Sequence, residues 1–320
     1  MKTSLPLALE RIGGIQAQYA PSMYIGLWSR LQNFERDQLT RALQRNSVVQ
    51  GTLMRTTIHL VSKSDYWPFI VGIRRRRREQ WVRGHKADRR KIEAASRKLK
   101  PHLAKGPLSQ AELDEILSAD AATRNGVGLF LDLVRVPPSG TWERRRADIY
   151  ALAEKWVGPE KVTEEDGIEV LIRRYLSGFG PARPEEIASW AGVSNPDITG
   201  ALDRIELRRF QDEQGKELVD LPRLPLPGAE TPAPVRFLPV WDSTLLVHAR
   251  RTQILPERYR ARVFGTKTPH SVNTFLVDGQ VAGTWRFEKG RVRIKPFGRL
   301  PKGVRAELDE EADRLAAFHA

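Results

Sequence analysis

The 320-residue sequence contains no cysteine and only three methionines. Without cysteine there is no disulfide framework, no thiolate nucleophile and no Cys-based zinc or iron–sulfur site. No run approaches the roughly 18 consecutive apolar residues of a membrane helix, so no membrane association is expected. The opening MKTSLPLALERIGG turns polar too soon for a secretory core and lacks a small-residue cleavage site, which makes cytoplasm the expected compartment. The six histidines (59, 85, 102, 248, 270 and 319) show no ligand spacing with carboxylates, and neither HExxH nor an EF-hand pattern occurs. Nucleotide-binding glycine fingerprints and a serine-nucleophile elbow are missing too. Neither a metal nor a cofactor is therefore expected.

What the sequence has in excess is positive charge. Its net charge is +14, with a pI near 10.2. Residues 1–100 hold 21 Lys+Arg against 7 Asp+Glu, while the remaining 220 residues hold 32 of each. All of the excess lies in the first third of the chain. Such concentration on a folded region points to a nucleic-acid surface, with solvated helix faces as the plain alternative. The length suits two to three domains with real cores.

An internal repeat organises the chain. Gly106-Pro107 opens GPLSQAELDEIL and Gly180-Pro181 opens GPARPEEIASWAG, at an offset of 74. Under that offset Leu113 falls on Ile187, Leu117 on Ala191 and Leu133 on Leu207. Each copy is preceded by a helical stretch (89–103 and 165–176). Each is followed by another helix and an extended pair: LVRVPPSGTWE with a Pro-Pro-Ser-Gly turn, then LRRFQDEQGKELVDL with a turn near Glu213 to Gly215. Helix, turn, helix and β-hairpin make a winged helix-turn-helix unit. Stepping back another 74 residues places Leu39 on Leu113 and Leu43 on Leu117, a fainter third copy, with LMRTTIHLVS where a wing belongs.

The fold class expected is α+β: three tandem winged helix-turn-helix units forming a concave DNA-binding surface, with a small C-terminal β subdomain. The units are expected at 1–85, 86–160 and 161–235. The β subdomain, at 236–320, has turns at Asp278-Gly279 and Lys289-Gly290 and a closing helix near 307–318. Tandem winged helices favour DNA as partner, though the same unit also mediates protein contacts.

The most unusual local stretch is IGGIQAQYAP (12–21). Glutamines at i and i+2 point the same way only on extended or turned backbone, and Gly13-Gly14 and Pro21 favour that geometry. Two convergent amides can hold one water between them. They are no Brønsted bases, but they can orient a water toward a substrate that brings its own good leaving group.

Around this motif the sequence resembles a known family. GGIQAQ, LWSRL (27–31), LMRTTIHLV (53–61), FLPVWDSTLLVHARRTQI (237–254) and FLVDGQVAGTW (275–285) follow, in order, the pattern of the winged-helix AlkZ-like DNA glycosylases. The resemblance covers nearly the whole chain. It implies a monofunctional DNA glycosylase that excises bulky or crosslinked alkylated purines from double-stranded DNA, built as a concave set of three winged helices. The family's catalytic Gln-(apolar)-Gln motif falls on Gln16-Ala17-Gln18, which gives Gln16 and Gln18 the water-positioning role. A lysine Schiff base is not expected, because no lysine lies within forty residues after the motif. Two departures from the pattern stand out. The motif begins at residue 13, where relatives carry a further helical segment upstream, so either the start is short or the first unit is trimmed. Tyr19, followed by Ala20-Pro21, stands where an acidic residue is common.

Other candidates for DNA contact follow from charge and alternation. Arg55 and His59 alternate with apolar neighbours along one strand and share a face, either lining the cleft near the glutamines or serving as a surface arginine and a hydrogen-bonded structural histidine. His248 and Arg250 repeat that alternation. Of the run Arg74 to Arg78, two or three, among them Arg74, Arg75 and Arg78, can face DNA together. Arg144 to Arg146 has similar standing. The hairpin from Val277 to Trp285 carries Val281 and Trp285 as candidate minor-groove wedges, or as core. The chain is expected to act as a monomer. The competing reading is a winged-helix DNA-binding protein or transcription regulator without catalysis; an array that binds RNA or a protein partner is a third.

Overall fold

A computed structural model describes residues 1–246, 252–265 and 270–320. One order of elements recurs three times: helix, strand, helix, helix, strand, strand. It first appears as Leu5–Arg11, Ile15–Gln16, Ala20–Trp28, Arg36–Gln44, Val48–Thr52 and Ile58–Ser62. After the long helix Lys63–Gly84 it returns as Arg89–Lys105, Leu108–Ser109, Gln110–Leu117, Ala121–Phe130, Leu133–Arg135 and Ile149–Leu152. The third copy runs Glu164–Phe179, an isolated bridge at Ala182, then Pro184–Ala191, Asn195–Leu202, Arg208–Gln211 and Glu217–Asp220. In each copy the first strand pairs with the last, and every pairing among the described strands is antiparallel.

The local sequence accounts for these boundaries. Ser109 with Glu112, Thr163 with Asp166 and Ser194 with Asp197 close reciprocal capping boxes that satisfy the first free N–H groups of their helices. Gly192 ends Pro184–Ala191 in the left-handed region, at φ 77°. Helices Gln110–Leu117 and Pro184–Ala191 lie 74 residues apart, with Leu113, Leu117, Ile187 and Ala191 all buried.

Strands of the first two copies merge into one six-stranded sheet, joined where Val48–Thr52 pairs with Leu133–Arg135. One face packs on a core shared with Lys63–Gly84 and the third copy (Val49, Val61, Val134, Phe69, Leu171, Trp190). The other face packs on Ala20–Trp28, Arg36–Gln44 and the C-terminal region (Ile15, Leu60, Leu27, Phe237, Leu315). Lys63–Gly84 and Glu164–Phe179 cross backbone to backbone at Gly72 and Gly167. A Cβ on Gly167 would lie 2.5 Å from the Pro68 carbonyl oxygen and 2.6 Å from the Gly72 nitrogen, so neither glycine has room for a side chain. The C-terminal region is a four-stranded sheet ordered Arg291–Pro296, Gln280–Glu288, Thr274–Val277, Arg236–Leu238, with helix Val304–His319 against it. Its two tight turns place Asp278-Gly279 and Lys289-Gly290 at positive φ, the geometry that matches strand twist in two-residue hairpins.

Three sequence expectations need correction. The faint first repeat is out of step by one helix: Arg36–Gln44 is the helix before the strand pair, so its counterparts are Ala121–Phe130 and Asn195–Leu202, not Gln110–Leu117. LVRVPPSGTWE is not a hairpin, because Leu133–Arg135 pairs with Ile149–Leu152 across a long loop. LMRTTIHLVS is not one strand. Residues Met54–Thr56 form a 3-10 turn with Arg55 and Thr56 at positive φ, and the strand begins at Ile58.

Candidate active site

Gly13 and Gly14 turn the chain at φ 66° and 80° into the short strand Ile15–Gln16. A Cβ on Gly13 would stand 2.9 Å from the Trp190 ring, and one on Gly14 2.9 Å from the Leu60 carbonyl oxygen, so both positions require glycine. Ile15 pairs with Leu60 and Gln16 with His59, and the Ala17 N–H donates to the Ile58 carbonyl at 2.7 Å. On this extended backbone Ile15 and Ala17 enter the core, each 2% exposed, while Gln16 and Gln18 take the opposite side. Tyr19 then caps Ala20–Trp28, with a proline in the first turn.

The two amides differ in circumstance. Gln18 is exposed, and its Oε1 accepts the Ile58 N–H at 3.2 Å, which fixes the side chain and leaves its NH₂ to donate elsewhere. Gln16 is 8% exposed, and its amide makes no hydrogen bond with the described residues. Its amide atoms are not among the enclosed unpartnered polar atoms, so they reach solvent and are open to a water or a ligand.

His59 lies directly across from Gln16 on the same face and is 3% exposed. Its Nδ1–H donates to the Thr57 carbonyl at 3.0 Å, which leaves Nε2 as the ring's acceptor. Burial above all, and Arg55 beside it, push its pKa down to about 3 against the pull of that backbone bond. The imidazole is therefore neutral at physiological pH and is no proton donor there. Arg55 does not share a strand face with it, a correction that follows from the turn at Met54–Thr56. Its guanidinium instead donates to the Trp190 carbonyl, and its backbone packs against Gly192.

The Arg74–Arg78 run is engaged within the chain. Arg74 bridges Asp132 (2.9 Å) and Glu160 (2.6 Å), and Arg75 bridges Glu164 (2.9 Å) and Asp197 (3.0 Å). Arg78 donates to the Leu129 and Phe130 carbonyls. Arg77, 3% exposed, donates to Asp132 and to the Thr52 and Leu129 carbonyls. These side chains tie Lys63–Gly84 to the second and third copies. Trp285 is no wedge: it is 5% exposed, donates from Nε1 to the Leu238 carbonyl at 3.0 Å and lies edge-on to Phe237. Val281 is 2% exposed and equally core. His248 and Arg250 lie outside the described residues.

Two interactions escaped sequence reasoning. Arg30, from LWSRL, makes a bidentate bridge (2.7 and 2.9 Å) to Asp242 of FLPVWDS, which is 2% exposed, so two distant motifs meet in one ion pair. Arg145, from the long loop after Leu133–Arg135, donates from Nη1 at 3.1 Å to the hydroxyl of Tyr19, the residue that follows Gln18 in the chain. Nothing local in the sequence announces either.

The architecture and the glutamine strand together describe a mixed α and β protein with Gln16, Gln18 and His59 gathered on one side of a short strand pair. The family model for DNA glycosylases of the AlkZ-like type matches residues 9–318. The chain belongs to that family, and with it to the DNA glycosylase enzymes, whose substrate is DNA. Among solved structures it is similar to the Streptomyces sahachiroi DNA glycosylase AlkZ, at 19% identity and a TM-score of 0.80, covering 100% of this chain and 90% of that one. That likeness is one of fold. No curated protein matches the sequence. No helix among the described residues is long and apolar enough to cross a membrane.

Proposed function

We propose that this chain is a monofunctional glycosylase that hydrolyses the N-glycosidic bond of alkylated purines, bulky or crosslinked at N7 or N3, in double-stranded DNA. Gln16 and Gln18 hold the attacking water. The observation that carries this reading is the extended strand that puts Gln16 and Gln18 on one side, with the Gln16 amide open to solvent and the Gln18 carbonyl already fixed by the Ile58 N–H. A purine alkylated at N7 or N3 is cationic and leaves without a strong acid. The remaining barrier is the oxocarbenium developing at the sugar and the delivery of water. Two neutral amides and a neutral His59 suit that task, since they orient a water without placing a positive charge beside the developing cation. Unalkylated bases are poor leaving groups and stay uncut.

In this reading the three recurring units are winged helices spanning about 1–85, 86–160 and 161–235. They form the concave DNA surface, with 236–320 as the β subdomain. The enzyme works as a monomer in the cytoplasm. Gln18→Ala tests the assignment: base release falls about 100-fold, the size of a misplaced reactant, while affinity for the same duplex stays within twofold. Unchanged release would remove the glutamine from the mechanism. Loss of binding along with release would make Gln18 a DNA contact and not the holder of the water.

A further inference from the structure

The loop 136–148 is anchored more firmly than its length suggests. Ser139, 1% exposed, donates to the Arg146 carbonyl (2.8 Å) and accepts the Asp148 (2.6 Å) and Ile149 (3.1 Å) N–H groups. Gln50 reaches across from the central sheet to the Gly140 carbonyl at 2.8 Å. Trp142, 6% exposed, is driven into the core against Tyr24, Phe318 and His319. The loop is thus built into the first unit and the C-terminal helix.

Two cations flank that tryptophan. Arg36 stands 5.0 Å and Arg145 5.9 Å from the Trp142 ring. Neither has a carboxylate partner among the described residues, whereas Arg144 and Arg146 both lean on Asp148 (3.6 and 3.2 Å). The positive potential they leave is felt nearby. Burial first, then Arg36 and Arg145, hold the His319 imidazole down at about 4. Arg145 meanwhile grips the hydroxyl of Tyr19, the residue after Gln18, and Tyr19 as a whole is 41% exposed. A rigid turn therefore links a pair of uncompensated guanidiniums to the strand that carries the glutamines.

We infer that Arg36 and Arg145 take backbone phosphates of the damaged strand, and that Tyr19, held by Arg145, is a positioning residue that transmits this grip to Gln18. The inference rests on the glycosylase reading above and adds the strand attachment and its coupling. Guanidiniums pair with phosphate oxygens in fixed fork geometry, and the Trp142 platform presets where the fork points. Anchoring the phosphates next to the motif fixes the distance from the sugar C1′ to the water. The same phosphates bring negative charge to the developing oxocarbenium, which the neutral amides do not supply.

The test is binding of a duplex oligonucleotide, with and without N7-alkylguanine, from about 50 to 200 mM salt. In R36Q/R145Q the slope of log K against log salt falls by about 1.8, at about 0.9 for each phosphate no longer neutralised, and R36K/R145K restores it. Y19F keeps the native slope, but its single-turnover base release at saturating protein drops about tenfold, as expected for a sub-ångström misplacement. A native slope in R36Q/R145Q, or native release in Y19F, would overturn the inference. If the native chain binds duplex but releases no base, the glutamine reading falls, and the salt slopes still decide whether the two arginines hold phosphate.

Discussion

Arg74–Arg78 and the arginines of loop 136–148 look alike as sequence and differ in what surrounds them. The five-residue run is the densest charge in the chain, yet Arg74 holds two carboxylates and Arg75 three, Arg78 caps carbonyls and Arg77 is buried. Arg145 hydrogen-bonds the hydroxyl of Tyr19, the residue after Gln18, and meets no carboxylate among the described residues. Charge density measures how many guanidiniums are present. The carboxylates brought near by the fold decide which of them are already paired within the chain. The first run works as cement between units, and Arg145 with Arg36 works at the surface.

The largest effect expected on this comparison is in the cement. Arg77 is held at about 10 by burial, with Asp132 opposing, and it satisfies two carbonyls as well as that carboxylate. Arg77→Ala takes the side-chain donor from the Thr52 carbonyl and leaves Asp132 to Arg74 and the Leu129 carbonyl to Arg78, and it costs about 2–3 kcal/mol in urea unfolding. A loss under about 1 kcal/mol would mean that the run does not hold the units together.

A middle-sized effect concerns His59. Its folded pKa of about 3 lies below the unfolded value of 6.5, so between those limits the unfolded chain binds the extra proton. The stability His59 contributes is present above pH 6.5 and is lost as pH falls toward 3, at about 1.4 kcal/mol per pH unit. Unfolding measured at about pH 7, 6 and 5 is therefore steeper in its pH dependence for the native chain than for His59→Gln. Equal slopes would place the imidazole in water.

The smallest effect sharpens the contrast with Arg145. Arg75 is 47% exposed in its ion pairs, which are worth less than about 1 kcal/mol at such exposure. Arg75→Gln barely changes stability and leaves the salt slope of DNA binding native. A slope reduced as far as that of an Arg145 variant would show that the run reaches DNA after all.

What was legible in the sequence was local. Helices Gln110–Leu117 and Pro184–Ala191 could be matched because their caps and buried i, i+4 residues lie within one segment. The Gln16–Gln18 geometry was legible for the same reason, since period two and flanking glycines demand extended backbone. Leu39 and Leu43 misled because an i, i+4 apolar pair fits any amphipathic helix, here the one a step later in the unit. The turn at Arg55-Thr56 was hidden by residues that seldom adopt positive φ, so alternation passed for a continuous strand. The partners of Arg74 and Arg75 were out of reach: Asp132 is 58 positions from Arg74, and Asp197 is 122 from Arg75. Only the fold places those carboxylates.

The measurement that tests the central claim most directly is release of free base from duplex DNA carrying small or bulky N7-alkylguanine, by the native chain and by Gln16→Ala/Gln18→Ala. The account predicts release by the native chain alone, with both proteins binding the duplex equally. Release by the double variant at the native rate would contradict it, as would no release from either adduct alongside tight, salt-sensitive binding to undamaged DNA.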